Sequence, residues 1–336
     1  MVITLSLFLL ANDPITWDMT TALFACLLFS IVVTTFQSVA LLTGLRIAWK
    51  AQGQVFGSFR LLLGSPSGLR VECTLTSSAA ASFLFRCSLP VVCALSVAFV
   101  YLAARIAAYL TPTARAFTGV EAQNTLGQVL HTVFICIAVL VVQPLRCYYH
   151  PNGKSSMSAY PQVLCWESTE HIVIVIAGVL LGTLFLIPFM AACVWSMLRA
   201  PKMGSVDHLM RWRFLVYRFR PEKWWWGIIF LIRQVLFAFS SCIPAEQSLM
   251  QITYFAVVGL TYVAVTCTQW PWKSSLLNFF DAASVFMLAV ISISASAFTD
   301  GASETEKTFF VYFHLVMFSL FVFAVLAAFA AMAMIM

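Results

Sequence analysis

Apolar runs long enough to cross a bilayer recur eight times along the chain, near 20–45, 88–110, 126–145, 172–198, 224–243, 249–268, 277–298 and 309–335. About 20 apolar residues in a helix span the hydrocarbon core. The pattern therefore predicts an all-α fold: a polytopic transmembrane helical bundle of about eight spanning helices, with 19–336 as one transmembrane domain. The third and seventh runs are interrupted by polar residues. Residues 3–11 are apolar too, but no Lys or Arg precedes them and no small-residue cleavage site follows cleanly, as a signal peptide requires. Segment 1–18 is therefore expected to be a short N-terminal piece, the remnant of a truncated helix, with a short interfacial segment as the alternative.

Composition agrees with the pattern. Of 336 residues, 62% are hydrophobic and only 10% charged, whereas soluble domains carry about a quarter charged residues. The lipid bilayer is the partner this implies. The formal charge of +6 is concentrated, with seven of the 19 basic residues between Arg199 and Lys223. Such clustering marks a cytoplasmic loop beside anionic lipid, not a nucleic-acid surface.

Placing 199–223 inside puts 46–87, 146–171, 244–248 and 299–308 outside. The last of these holds Asp300, Glu304 and Glu306, which suits an exterior face and could draw cations to a mouth between the last two helices. Segment 46–87 objects, because it carries five basic residues (Arg46, Lys50, Arg60, Arg70, Arg86) against one acid. One of the two basic segments must break the rule.

Of ten cysteines, Cys73, Cys87, Cys147 and Cys165 fall in loops assigned outside. An oxidising exterior favours bridges, and four cysteines allow three pairings. Cys147–Cys165, within one loop, is the expected disulfide, with Cys73–Cys87 as its companion; four unpaired thiols are the alternative.

Enzyme chemistry is not expected. Gly153-Lys154-Ser155 imitates the end of a phosphate loop, but Tyr148 stands where the first glycine belongs. No zinc-protease helix, no nucleophile elbow and no potassium-type filter occurs. The five histidines are scattered. Neither a cofactor nor a metal is expected.

The most informative stretch is Phe214–Phe239. Pro221 suits a first helical turn and Glu222 complements a helix N-terminus. Trp224, Trp225 and Trp226 read as an interfacial belt. Arg233 lies seven residues deeper, about 10 Å at 1.5 Å per residue. A buried arginine is a functional candidate or half of a structural ion pair. Asp281, the only acid inside a predicted span from the fifth helix onward, is its expected partner.

Four blocks resemble a known family. They are Phe36-Gln37 with Ala48-Trp49, Cys73 and Leu89-Pro90; Pro144, Cys147, Pro161, Cys165-Trp166 and His171 with Ile187-Pro188; Tyr217 through Trp226 with Arg233; and Gln269, Pro271 and Asn278 through Asp281. Together they are similar to the transient-receptor-potential-like (TRP-like) membrane proteins of fungi and protists, without the family's ectodomain. Lys50 stands where the family usually carries proline. The resemblance implies a cation channel or channel-like subunit, assembled as a homo-oligomer, with the last helices nearest a pore. A non-conducting receptor-like or anchoring membrane protein is the first alternative. A secondary transporter is the second, although Gly178, Gly182 and Pro188 offer one breakable helix where paired halves would need two.

Overall fold

The computed structural model describes residues 21–45, 47, 49, 55–56, 78–111, 117–199, 206–244, 246–298 and 302–335. Segment 1–18 lies outside them. Each of the eight apolar runs contains helix. In order these are α1 (Thr21–Thr43), α2 (Ala79–Cys87) leading into α3 (Leu89–Leu110), α4 (Gly119–Thr132) and α5 (Phe134–Val142), α6 (Thr169–Leu181) and α7 (Ile187–Arg199), the short α8 (Val206–Arg211) and α9 (Arg213–Val216), then α10 (Trp226–Phe239), α11 (Ser248–Gln269), α12 (Ser275–Ser294) and α13 (Glu304–Ile335). The chain is an all-α polytopic bundle.

Six of these are long and apolar enough to cross a membrane: α1, α3, the continuous 169–199 helix, α11, 275–298 and α13. The expected eight is thus reduced in two places. The third run is a pair, α4 and α5, bent by 50°. Val133 leaves helical geometry between them, at φ −93° and ψ 6°. The reason lies in α4, whose Asn124, Gln128 and His131 form a buried polar stripe that turns toward the protein interior rather than lipid. The fifth run yields only a short apolar helix, Trp226–Cys242. Its start is late because Pro221–Lys223 form a 3₁₀ turn instead of the first turn of the span.

The 169–199 helix stays continuous through a π turn at Gly182–Leu186. Pro188 follows that turn and has no N–H for the helical ladder, so the register widens around it without breaking the span.

The connections gather at two ends. At the basic end, the chain from 213 to 225 folds onto the α11–α12 loop: Arg220 N–H donates to Pro271 O at 2.8 Å, Lys273 N–H to Arg218 O at 3.3 Å, and Phe219 bridges Trp272. At the opposite end, the 146–171 loop forms a three-stranded antiparallel sheet, β1 (Cys147–Tyr149), β2 (Ser155–Met157) and β3 (Tyr160–Leu164), in the order β1-β2-β3. Cys147 faces Met157 and Tyr149 faces Ser155 across the first pair. The turn between them needs Gly153 at φ +77°, a conformation glycine adopts freely. The apolar-run pattern missed this sheet, although Pro151-Asn152-Gly153 carried its turn signal.

Candidate functional site

Two constructions stand out. The first is a buried ionic node near the basic end. α10 and α12 both start there, so Arg233, seven residues past Trp226, and Asp281, six past Ser275, reach nearly equal depth, about 10 Å along their helices. Arg233 Nη1 lies 3.0 Å from Asp281 Oδ1, with the side chains 5% and 1% exposed. The second carboxylate oxygen accepts from Tyr262 Oη at 2.7 Å and from the Trp272 indole N–H at 2.9 Å. The guanidinium lies between two rings, 4.3 Å from Phe230 and 4.2 Å from Tyr262. Asn278 fixes the loop that delivers Trp272, accepting from Trp272 N–H and donating to Trp272 O, each at 3.0 Å. The carboxylate has three donors and the guanidinium lies between aromatic faces, with its buried Nε left without a hydrogen-bond acceptor, and the pair ties together the junction of α10, α11 and α12.

The tryptophan belt is corrected in part. Trp226 is fully buried in the central apolar core, where its ring sits 6.0 Å from Tyr262. Trp224 and Trp225 are half-buried. The docked chain from 213 to 225 covers this end of α10, so Trp226 meets protein instead of headgroups.

The second construction is a cavity of about 840 Å³ at the sheet end. Its floor is Ala40, Leu41 and Val139, and the sheet and its flanks supply Tyr148, Tyr160 and Trp166. Trp49 closes another side, 6.1 Å from Phe298. Three buried polar side chains line the space with an oxygen that finds no protein partner: Gln143 Oε1, Ser241 Oγ and Gln251 Oε1. Buried polar atoms in folded proteins are nearly always bonded, so these three leave hydrogen bonds for solvent or a guest molecule in the cavity to complete. Among the described residues lining it, the charged ones are Arg86 and Arg146. Arg146 Nη2 donates to Gly44 O at 3.0 Å, which ties the C-terminus of α1 to the start of the sheet.

The roof is braced. Cys147 and Cys165 are joined by a disulfide, with Cα atoms 6.4 Å apart. Next to it, Trp166 adopts φ 66°, left-handed and costly for a bulky residue. His171 holds it there: Trp166 N–H donates to His171 Nδ1 at 3.2 Å, and His171 Nε2 lies 3.1 Å from Pro144 O. Strain of this kind persists only where the surroundings over-determine it, and it clusters at binding sites. Cys147, Cys165 and His171 together resemble a metal triad in spacing. With both sulfurs in the disulfide and both ring nitrogens occupied, that trio fits a structural brace and not a metal centre.

The remaining expectations fall out as follows. Cys87 carries a free thiol, so the companion bridge is not formed on its side; Cys73 lies outside the described residues. Asp300 also lies outside them. Glu304 and Glu306 are exposed, but both are engaged at the start of α13. Ser303 N–H and Oγ donate to Glu306 Oε2 at 2.7 and 2.8 Å, Glu306 N–H returns to Ser303 Oγ, and Glu304 pairs with Lys307 at 3.2 Å. This is a capping box with an i,i+3 ion pair, which accounts for both acids as helix-start chemistry. Sequence reasoning missed Arg146, Gln143, Ser241 and Gln251 as site residues, and it read Arg86 only as loop charge. The available signal was the surplus of basic residues in a segment that topology places outside.

No family model, curated protein or solved structure matches the chain, so the TRP-like resemblance rests on its four sequence blocks alone.

Proposed function

We propose that this multi-pass membrane protein is receptor-like and takes a small molecule into the cavity at its sheet end, on the face away from the cytoplasm. One observation carries the reading: a space of about 840 Å³, within the usual range of ligand sites, lined by buried oxygens without protein partners under a cross-braced roof. The disulfide suits an oxidising exterior. The face of α13 adds support from the other direction. From Phe309 onward its exposed positions are apolar or aromatic apart from Ser319, among them Phe309, Tyr312, Val316, Leu320, Phe323 and Leu326. Its one inward histidine, His314, bonds Ser294 Oγ at 2.6 Å. That is the surface of a lipid-facing span, whereas the cation-channel reading assigns this helix to a pore.

The test uses the purified chain in lipid nanodiscs against a panel of small organic molecules of each charge. A true ligand at a hundred times its Kd should add about 2.7 kcal/mol of stability. The same ligand should lose its effect in Ala159→Trp, which fills the cavity from an exposed lining position. Planar-bilayer recording under a cation gradient runs in parallel. Reproducible unitary currents that shift when Asp300, Glu304 and Glu306 are neutralised would install the oligomeric channel instead. A panel without any stabilising member that Ala159→Trp abolishes would sink the receptor reading.

A further inference from the structure

We propose that an apolar groove between α5, α7 and α10 seats one acyl chain of a phospholipid, drawn from the leaflet at the basic end. This site is separate from the cavity under the sheet and does not rest on the receptor-like reading. The groove has a volume of about 730 Å³, within the range of ligand sites. Its floor is small and buried: Ala138 and Val142 of α5, Gly182 of the π turn, and Ala238 of α10. Ile187, Trp195, Leu198 and Phe239 stand exposed along its rim. Among the described residues lining it, only Trp195 carries a side-chain N–H or O–H. A polar group buried there would lose its hydrogen bonds, so the part of a guest that enters is hydrocarbon.

Three features select a phospholipid chain. The first is continuity with the lipid-facing surface. Ile176, Leu180 and Leu184 form an exposed apolar stripe on the 169–199 helix, and Ile187, Trp195 and Leu198 on the rim extend it. The groove therefore opens onto bilayer hydrocarbon, and a seated chain supplies dispersion contacts that a gap would forfeit. Length and shape are the second. From Leu198 to Gly182 the wall runs 16 residues, about 24 Å at 1.5 Å per residue. One leaflet fills about 15 Å, half of the hydrocarbon core, so a whole chain fits lengthwise. The π turn shifts the helical register within this wall, where Leu186 and Ile187 both line the groove. A flexible chain follows such a wall, whereas a rigid fused ring does not. The third is the mouth. The Arg199 guanidinium lies over the Trp195 ring, 4.3 Å from its centre. Apolar lining thus gives way to segment 199–223, where seven basic residues outnumber two acids. A phospholipid has the same order, hydrocarbon and then phosphate, and Trp beside Arg is the side-chain signature of that boundary.

The experiment places the chain, one copy per disc, in phosphatidylcholine nanodiscs. These are doped with phosphatidylcholines that carry a photoreactive diazirine either beside the glycerol or at the chain end, and adducts are mapped by mass spectrometry. The glycerol-side probe should label Trp195 and Leu198, and the chain-end probe Val142 and Phe239. Each should exceed its control on α13, Met334 for the first probe and Leu320 for the second, both exposed. Ala191→Trp, which fills the groove from an exposed lining position, should remove the excess while melting like the parent and leaving both controls unchanged. The depth order in the parent decides the matter without that variant. Groove labelling no greater than the controls overturns the site, whether the groove is covered by protein or takes no fixed chain. A reversed depth order overturns the choice of leaflet. Displacement of the label by a sterol or a free fatty acid, but not by unlabelled phosphatidylcholine, overturns the phospholipid.

Discussion

The Arg233 guanidinium and the Asp281 carboxylate meet with almost no solvent, so removal of either strands the other in a medium that cannot hydrate it. Arg233→Ala and Asp281→Ala should each cost about 3–5 kcal/mol, and the double variant should cost less than their sum. Unfolding in graded denaturing detergent measures both, and strict additivity would show the groups to be independent. Tyr262→Phe removes one donor to a charged acceptor and should cost about 1.5–3 kcal/mol. Arg218 is a different case. It is fully buried with Gln128 Oε1 as its acceptor and, among the described residues, no acid paired with it, and burial lowers its pKa to about 10, which still leaves it charged at neutral pH. The ion pair was legible in the sequence because one acid lay within reach of one buried arginine. Tyr262 and Trp272 were not, because a phenol or indole in an apolar run looks like any other aromatic until packing aims its hydrogen.

Among the elements, the sheet roof depends on its cross-link. Closing the 18-residue separation between Cys147 and Cys165 is worth about 3 kcal/mol in the chain-entropy model. Cys147→Ser should lower the melting temperature and weaken any ligand held by the cavity, while leaving the helical signal in circular dichroism intact. Helix contacts can be tested where two glycines allow close approach. A Cβ at Gly127 would overlap the buried Phe214 ring, whereas one at Gly227 would press chiefly on the Met197 methyl, the end of a flexible chain, with Met197 Sδ and the Phe219 ring next nearest. Gly127→Ala should therefore cost about 1–3 kcal/mol, and Gly227→Ala, where a flexible side chain can give way, should cost less in the same unfolding assay. The sequence blocks at Tyr217–Trp226 and at Gln269–Asp281 are two halves of one junction. Arg220 N–H reaches Pro271 O, Lys223 Nζ reaches Gln269 Oε1, and Arg233 reaches Asp281. Hydropathy placed the helices around this junction but could not show that the loop preceding α10 packs on it. A docked loop and a solvated loop have the same composition.

At the scale of the whole chain, the two ends differ in chemistry. Arg218, Arg220 and Lys223 lie with the docked segment at one end, and the disulfide, the sheet and the cavity lie at the other. Met210→Cys, in α8, should react with an impermeant thiol reagent only after the membrane is opened. Labelling of that cysteine in intact cells would invert the assignment. One charge of the topology conflict seen in the sequence finds a physical account here. Arg86, one of the basic residues that sat awkwardly outside, lines the cavity, so its side chain is turned toward protein and its charge says little about orientation. That could not be read beforehand, because positions 41, 86, 143, 146 and 241 converge only through tertiary packing.

The short α10 has a consequence for how the protein is made. Trp226–Cys242 is too short to count among the long spans, and it carries Arg233, whose insertion at a helix centre costs about 2.5–3.5 kcal/mol. Its counter-charge is encoded 48 residues later. During synthesis, then, α10 leaves the ribosome before Asp281 can neutralise it, and its lodging in the bilayer should wait on α12, the helix that brings Asp281. A chain halted at residue 274 should leave Gln247→Cys unlabelled from the far side of microsomes. The full chain should expose it, and Arg233→Leu should restore exposure in the halted one. Late commitment of this kind makes the C-terminal half of the protein a chaperone for its own middle.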